Sequence, residues 1–252
     1  MCIRDRLLNC NPSEVVFTSG GSESNNLALR GLAQYARALD KPFTLVTSPV
    51  EHAAVSATAR QLHDVFGVAL RVVNIDRYGR VDPDDLRAAL RSLPPDGIAL
   101  VSLMHANNEI GTIQPIAEAG SIARDRGIAF HTDAVQTFGH LPLTVDGLNV
   151  DLLSASGHKL YGPKGVGFLY IRKGTRIQPF MHGGDQERGR RASTHNVPGI
   201  VGMGKAMELA MADMDREAGR LISLRDGMIR GILENIEHSR LNGHPRRRLP
   251  NN

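Results

Sequence analysis

Lys159 is the residue of this sequence best suited to covalent chemistry, and it lies in the run Ser156-Gly157-His158-Lys159. A lysine amine becomes nucleophilic when burial or a neighbouring cation lowers its pKa, and it then couples to aldehydes as a Schiff base. A single lysine is more often a solvated surface residue. Asp133 favours the chemical interpretation, because it follows the apolar run Ile128–His131 and precedes Lys159 by 26 residues, in the neighbouring strand–loop unit.

Asp133 is expected at the end of a buried strand, where it would be partly desolvated. Burial favours a protonated carboxyl unless a cation or a strong donor faces it, and a pyridinium N–H is such a partner. Pyridoxal 5'-phosphate (PLP) requires an amine for its aldehyde, an acid for its ring nitrogen and a cradle for its phosphate. Lys159 and Asp133 would supply the first two groups, so together they predict a PLP site.

A phosphate cradle is predicted where the first apolar run enters Ser19-Gly20-Gly21-Ser22 and a helix begins. Glycines allow close backbone approach, and the free N–H groups of a helix start attract an anion. Gly21 and the hydroxyl of Ser22 are the candidate donors, and Ser156 and His158 could reach the same phosphate. The segment is neither a Walker loop nor a GxGxxG turn. Similar turns also occur before helices without a functional role.

Three further polar segments follow predicted strands. His52 could stack on a planar ligand, although it could equally cap a helix or lie at the surface. Asn108 belongs to an asparagine pair that suits either ligand binding or a turn. The loop His182–Asn196 is too polar and glycine-rich for a helix or strand, and such loops are functional or disordered. Its two histidines and Asp185 match no standard zinc spacing, so no metal site is predicted.

These side chains need a scaffold that brings several strand ends together. The predicted strands are Val15–Thr18, Phe43–Thr47, Leu70–Ile75, Ile98–Met104, Ile128–His131, Leu152–Ala155 and Val166–Ile171. The predicted helices are 23–38, 53–66, 83–91, 115–127 and 197–236, the last as one helix or as two that break near Gly219. The alternation predicts an α/β fold with a mainly parallel sheet flanked by helices, which binds ligands beyond the carboxyl ends of the strands.

Composition argues against several other classes of protein. Lys and Arg number 30 against 26 Asp and Glu, but the excess of +4 lies in residues 1–6 and 236–252, so no basic face for nucleic acid is predicted. Two cysteines cannot form a disulfide framework, and neither a signal peptide nor a membrane span is recognisable. We therefore expect a cytoplasmic protein that binds neither nucleic acid nor membranes. The arginines at 246–248 are expected to form a solvated turn.

The polar segments occur in an order that resembles the cysteine desulfurases of the NifS/IscS type, which are class V aminotransferases within the fold-type I PLP enzymes. The matching segments are Phe17–Asn26, Glu51-His52, Asn107–Gly111, Asp133–Gln136, Ser156–Lys159 and His182–Asn196. The resemblance covers nearly the whole chain, from about Leu7 to Asn252. It implies that L-cysteine is converted to L-alanine and that its sulfur passes, as an enzyme persulfide, to an iron–sulfur scaffold or another acceptor protein.

The resemblance also implies roles in catalysis. Lys159 would hold PLP as a Schiff base and then shuttle protons at the substrate α-carbon. His52 would stack on the ring face and act as an acid or base. Asp133 would pair with the ring nitrogen, and Gln136 would bind the phenolic oxygen of the ring.

The remaining candidates would bind the phosphate and the substrate region. By the resemblance, the phosphate ligands of the same subunit are Gly21, Ser22, Ser156 and His158. Asn108 would contact the cofactor and substrate. Thr194 would reach the phosphate of a partner subunit, which implies a homodimer of the complete protein.

The chain departs from the family pattern where the sulfur chemistry occurs. The family carries its nucleophilic cysteine on a mobile C-terminal loop, whereas this sequence has no cysteine after Cys10. The arginine expected to bind the substrate carboxylate is also absent. Asp185 and Ser193 stand where related sequences usually carry glycine, and His195 where glutamate is frequent. The resemblance therefore implies an inactive fragment that forms no persulfide.

These departures predict a chain that is incomplete at both ends. Residues 1–6 would be a non-native start, and 7–196 would be the PLP-binding large domain without its N-terminal segment. Residues 197–252 would connect this domain to a small C-terminal domain that is largely missing. The alternatives are a selenocysteine lyase, another fold-type I PLP enzyme, or a catalytically inert scaffold with the same fold.

Overall fold

The computed structural model describes residues 8–252, and its centre is a seven-stranded sheet. The strands are β1 (Val15–Thr18), β2 (Phe43–Thr47), β3 (Ala69–Val72), β4 (Ile98–Met104), β5 (Ala129–Asp133), β6 (Leu152–Ser156) and β7 (Gly167–Ile171). Their order across the sheet is β1-β7-β6-β5-β4-β2-β3. Neighbours from β3 to β6 are parallel, and β7 is antiparallel to both β6 and β1. The prediction of a mainly parallel sheet is confirmed.

Helices cover both faces of the sheet, as predicted. They are α1 (Gly21–Ala38), α2 (Ala53–Phe66), α3 (Pro83–Arg91), α4 (Ile116–Arg124) and α5 (Val197–Asn235). Apolar side chains of α1 and α2, such as Leu29 and Leu62, pack with Leu45 on one face. Side chains of α3, α4 and the start of α5 form a second core with alternate strand residues such as Val46. Burial on both faces explains why the strands are nearly continuous apolar runs.

Some predicted elements end at other residues than expected. β3 stops at Val72, because Ile75 turns back and pairs with Val81. α4 is shorter than 115–127, because Pro115 is its N-cap residue and the chain turns after Arg124. α5 is one continuous helix, since an interior glycine costs about 1 kcal/mol and does not by itself break a helix.

The last residues fold back onto the loop that follows β4. The Leu249 N–H donates to the Gly111 carbonyl at 2.9 Å, and Asn252 Nδ2 donates to the Asn108 carbonyl at 3.1 Å. The expected solvated turn at 246–248 is wrong for Arg248, whose buried side chain donates to the carbonyls of Asn242 and Asn252. A run of charged residues does not indicate that backbone carbonyls several residues away will accept hydrogen bonds from one of its side chains.

The predicted non-native start, residues 1–6, lies outside the described residues. Within residues 8–252, no helix has both the length and the apolar character needed to cross a membrane.

Candidate active site

A cavity of about 500 Å³ lies at the carboxyl edge of the sheet, where β5 and β6 end and α1 begins. Nine of the ten candidate residues line it: Gly21, Ser22, His52, Asn108, Asp133, Gln136, Ser156, His158 and Lys159. A larger cavity of about 730 Å³, at the amino ends of the strands, contains none of them. The structure therefore gathers residues from five separate sequence segments around one space.

The start of α1 forms the wall that was predicted to hold a phosphate. Gly20 is the N-cap residue with φ 147°, in a region that favours glycine, and no side chain of the described residues caps the helix there. A Cβ atom on Gly21 would lie 2.6 Å from Val135 Cγ2, so only glycine allows this close approach to the loop after β5. The uncapped first-turn N–H groups are available to an anion.

Asp133 lies at the end of β5 and is 5% exposed. Asn25 Nδ2 donates to its Oδ2 at 2.7 Å, and the Val135 N–H donates to its Oδ1 at 3.0 Å. Burial raises the pKa of Asp133, whereas these two hydrogen bonds and the nearby His52 oppose the rise. The predicted desolvation of this carboxyl is thus present, and two donors partly offset it.

A row of buried polar side chains lies around His131, two residues before Asp133 on β5. His131 is fully buried, and its ring nitrogens lie 2.8 Å from Ser102 Oγ and 2.9 Å from Ser154 Oγ. These contacts connect β4, β5 and β6 on one face of the sheet. Burial lowers the pKa of His131 to about 3, so the ring is neutral and adds no charge to this row.

Lys159 lies on a short 3-10 helix directly after β6 and is exposed rather than buried. The reason is local, because the helix follows the strand end at the open side of the cavity. Its carbonyl accepts a hydrogen bond from His140 Nε2 at 2.8 Å, which anchors the backbone. A second lysine, Lys164, lines the same cavity and is also exposed.

Ser156 and His158 form a pair beside Lys159. Ser156 is buried, and its Oγ lies 2.9 Å from His158 Nδ1. Partial burial, together with the charges of Lys159 and Lys164, lowers the pKa of His158. At neutral pH this favours a neutral imidazole that can position the serine hydroxyl.

The two interpretations of His52 turn out to be compatible. His52 is the N-cap residue of α2, and its Nδ1 accepts a hydrogen bond from the Ala54 N–H at 3.1 Å. The ring also lines the cavity. Because Nδ1 is the acceptor in this cap, a neutral His52 carries its proton on Nε2.

The remaining candidates differ in how closely they approach the cavity. Gln136 is half-buried and Asn108 is exposed, and both line it. Thr194 is exposed and does not line the cavity of its own chain. Its expected contact is with a second subunit, so its role stays a prediction.

Two residues received no role from the sequence: Asn25, which is buried and lines the cavity, and Glu51, which is partly buried and precedes His52. Asn25, one helical turn after Gly21, binds Asp133, and its Oδ1 has no hydrogen-bond partner in the structure. The Oε1 atom of Glu51 accepts from Ser48 Oγ at 2.5 Å and from the Met104 N–H at 3.0 Å, while its buried Oε2 has no partner. The four-residue spacing from Gly21 is a sequence signal for Asn25, whereas the Glu51 contacts depend on the tertiary fold.

The loop His182–Asn196 is tied to the cavity wall by an ion pair. Arg191 Nε and Nη2 donate to the Glu23 carboxylate at 2.7 and 3.1 Å, and Glu23 also accepts from the Ser19 N–H. His195 Nε2 lies 2.7 Å from Glu187 Oε1 in the same loop. Across residues 8–252, no three His, Cys, Asp or Glu side chains form a group that could hold a metal ion.

Ser193 adopts a φ of 88°, which costs a non-glycine residue of the order of 1 kcal/mol or more. We expect Ser193→Gly to raise the free energy of unfolding by about 1 kcal/mol, because relief of this strain exceeds the extra chain entropy of glycine in the unfolded state. Urea denaturation measures the change. Ser121→Gly, in the exposed face of α4, is the matched control and should destabilise the protein by about 0.5 kcal/mol. A loss of stability in Ser193→Gly would contradict the strain argument.

Comparisons with known proteins agree with the geometry. The aminotransferase class-V family model matches residues 4–251. The chain is 53% identical over 247 residues to a cysteine desulfurase IscS of Dictyoglomus turgidum. That alignment covers 98% of this chain but 61% of the curated relative, so the chain spans about three fifths of its length.

Solved structures give the same result. A NifS-like protein has a TM-score of 0.90 at 39% identity, with 98% of this chain and 66% of that chain covered. A structure of SspA in complex with cysteine has a TM-score of 0.75 at 42% identity, over 82% of this chain and 58% of that chain. The sheet and the cavity-forming segments thus have counterparts in structures of this group.

Proposed function

Because the chain belongs to the class-V aminotransferase family and is similar to IscS and NifS-like proteins, we propose that it is the cofactor-binding part of a PLP-dependent cysteine desulfurase. Class-V aminotransferases and cysteine desulfurases use PLP in general. The observation that carries the proposal is one cavity lined by an amine, a buried carboxyl and an uncapped helix start.

The residues present fit PLP in three respects. No side chain of the described residues caps the start of α1, so its first-turn N–H groups remain for an anionic group. Asp133 is buried, with two donors that orient it and lone pairs that remain for a ring N–H. Asn25 Oδ1 is a buried acceptor without a partner at the same cavity, as expected where a ligand donor belongs.

Each residue then has a defined task. Lys159 provides the amine for the aldehyde, and Asp133 holds the ring nitrogen protonated. Gly21, Ser22, Ser156 and His158 bind the phosphate, and Gln136 and Asn108 bind ring and substrate oxygens. His52 covers the ring and offers the proton on Nε2. When bound, PLP supplies an electron sink that makes the α-proton of an amino acid removable.

The substrate and partners follow from the same relatives. We propose L-cysteine as the substrate, a proposal that the similarity to SspA in complex with cysteine supports. The exposure of Thr194 supports a homodimer in which this side chain reaches the partner's phosphate. An iron–sulfur scaffold or another sulfur acceptor protein, and a cytoplasmic location, complete the proposal. Cys10 is not among the described residues that line the cavity, so we expect no persulfide from it, and Cys2 lies outside the described residues.

The proposal is tested by ligand-induced stabilisation. We expect PLP at 100 times its Kd to raise the free energy of unfolding by about 2.7 kcal/mol, because it binds only the folded chain. Pyridoxal, which lacks the phosphate, should stabilise far less, and inorganic phosphate should compete with PLP. Urea denaturation at increasing ligand concentration measures these effects. The absence of any stabilisation by PLP would overturn the proposal. Equal stabilisation by pyridoxal would mean that the start of α1 does not bind the phosphate.

A further inference from the structure

Asn25 is a buried residue at the cavity, and the tasks described above do not use its side chain. It is 1% exposed and lies on α1, one turn after Gly21. Its Nδ2 donates to Asp133 Oδ2 at 2.7 Å, while its Oδ1 has no partner. The Asn25 amide donates to a carboxylate but leaves its own buried oxygen without a hydrogen bond. A buried acceptor of this kind costs free energy unless a ligand donor binds to it.

The orientation of the Asn25 amide depends on the charge of Asp133. With Nδ2 facing the carboxylate, Asn25 donates to an ionised Asp133, and the Val135 N–H donates to the other oxygen. The reverse orientation would set Oδ1 against the carboxylate and would require a protonated Asp133. The structure thus contains the arrangement that favours the ionised carboxyl.

Acceptors prevail at this part of the cavity. Asp133 retains free lone pairs, and Asn25 adds an unpaired oxygen beside it. Asp133 interacts electrostatically with Glu51 and His52, and the His131 ring is neutral. A ring that presents an N–H or another donor is matched here, whereas a ring that presents a lone pair or a C–H leaves these acceptors unsatisfied.

We propose that Asn25 is a positioning residue that makes the cavity selective for a ligand ring with a protonated nitrogen, because its Nδ2 orients the Asp133 carboxylate at the cavity and favours the ionised form of that carboxylate. The inference rests on the proposed function and assigns a determinant of specificity within it. Asn25 acts through Asp133 and is not itself a catalytic residue.

The test combines a variant with a modified ligand. The ligands are PLP and an analogue with a C–H group in place of the ring nitrogen, and the readout is the equilibrium Kd from absorbance titration. We expect Asn25→Leu to weaken PLP binding about tenfold, because an Asp133 carboxyl without this donor is less ionised and less well oriented towards a ring N–H. The analogue should lose less than about threefold, because it never used the Asn25–Asp133 acceptors. The diagnostic quantity is therefore the Kd of the analogue divided by the Kd of PLP, which should fall in the variant.

Asn26→Leu is the matched control, because it makes the same change on the neighbouring residue. The Asn26 amide contacts Arg30, Thr58 and the Ser22 carbonyl rather than Asp133, so the Kd ratio should stay at the wild-type value. Asn25→Ala, which adds no apolar volume, is the second variant should Asn25→Leu fail to fold. Far-UV circular dichroism checks the fold of each.

The outcomes separate this inference from the proposed function. A Kd ratio that falls in both Asn25 variants and stays unchanged in Asn26→Leu supports it. Equal losses for both ligands would reduce Asn25 to a structural residue and overturn the inference alone. Binding of neither ligand by the wild-type chain would overturn the proposed function and this inference with it.

Discussion

Replacing Lys159 with alanine is expected to abolish covalent binding of PLP, while Lys164→Ala leaves it intact. Both lysines are exposed and line the same cavity, so they form a matched pair. Lys159 follows β6 directly and is anchored through its carbonyl by His140. Lys164 lies in the loop before β7, next to Gly165 with φ 75° and open space around it. An amine on a fixed backbone is better oriented for reaction than one on a loop.

The visible absorbance of the bound cofactor measures this difference. Wild-type chain and Lys164→Ala should develop a band on titration with PLP and retain it after desalting. Lys159→Ala should retain neither the band nor the cofactor after desalting, although the phosphate cradle still allows weak reversible binding. A band that survives in Lys159→Ala and disappears in Lys164→Ala would contradict the prediction and would show that Lys164 carries the reacting amine.

Glu51→Gln is expected to make the free energy of unfolding depend less on pH between about pH 5 and 8. The variant removes the uptake of up to one proton that is linked to folding in this range. Burial raises the pKa of Glu51 from its ordinary 4.5 to about 8, partly offset by hydrogen bonds from Ser48 and Met104, and the charge of Asp133 adds to the rise. In the unfolded chain the carboxyl ionises near its ordinary value. The folded state therefore binds more protons than the unfolded state across this window.

The sign follows from linkage. Stability associated with Glu51 is fully present below about pH 4.5 and is lost as the pH rises to about 8. The slope approaches 1.4 kcal/mol per pH unit for one proton, so roughly 3–4 kcal/mol is lost between pH 5 and 8. Glutamine keeps an acceptor for Ser48 and Met104 and removes the titration, so this loss should disappear.

Urea denaturation of the cofactor-free chain at several pH values tests the prediction. Glu109→Gln, which changes an exposed carboxyl, is the matched control and should keep the wild-type slope. An unchanged slope in Glu51→Gln would mean that the Glu51 carboxyl is ionised in the folded protein at neutral pH.

Strand-end reasoning located most of the site from the sequence. The apolar runs predicted the sheet, and parallel strands bring their carboxyl ends to one edge, so Asp133, Ser156 and Lys159 were expected together. The Gly20-Gly21 turn predicted the open start of α1 because its requirement is local. Such arguments succeed where one element determines the position of a residue.

The residues that sequence reasoning missed depend on contacts between elements. Asn25 lies inside a helix, and its link to Asp133 spans 108 positions of the chain. Glu51 was noted only as the neighbour of His52, because the donor from Met104 belongs to another strand. The exposure of Lys159 was not predicted, because the sequence does not show that its short helix lies at the open side of the cavity. Arg248 is buried because backbone carbonyls accept hydrogen bonds from its guanidinium, and the pattern of side chains in the sequence does not predict such acceptors.

The most direct test of the account is to map the lysine that carries PLP. The PLP-loaded chain is reduced with borohydride, digested and analysed by mass spectrometry. We predict one reduced cofactor per chain, on the peptide that contains Lys159, and its absence when inorganic phosphate outcompetes PLP before reduction. Modification of Lys164 would contradict the assignment of Lys159 as the reacting amine, and modification scattered over several exposed lysines would contradict the assignment of this cavity as a PLP site.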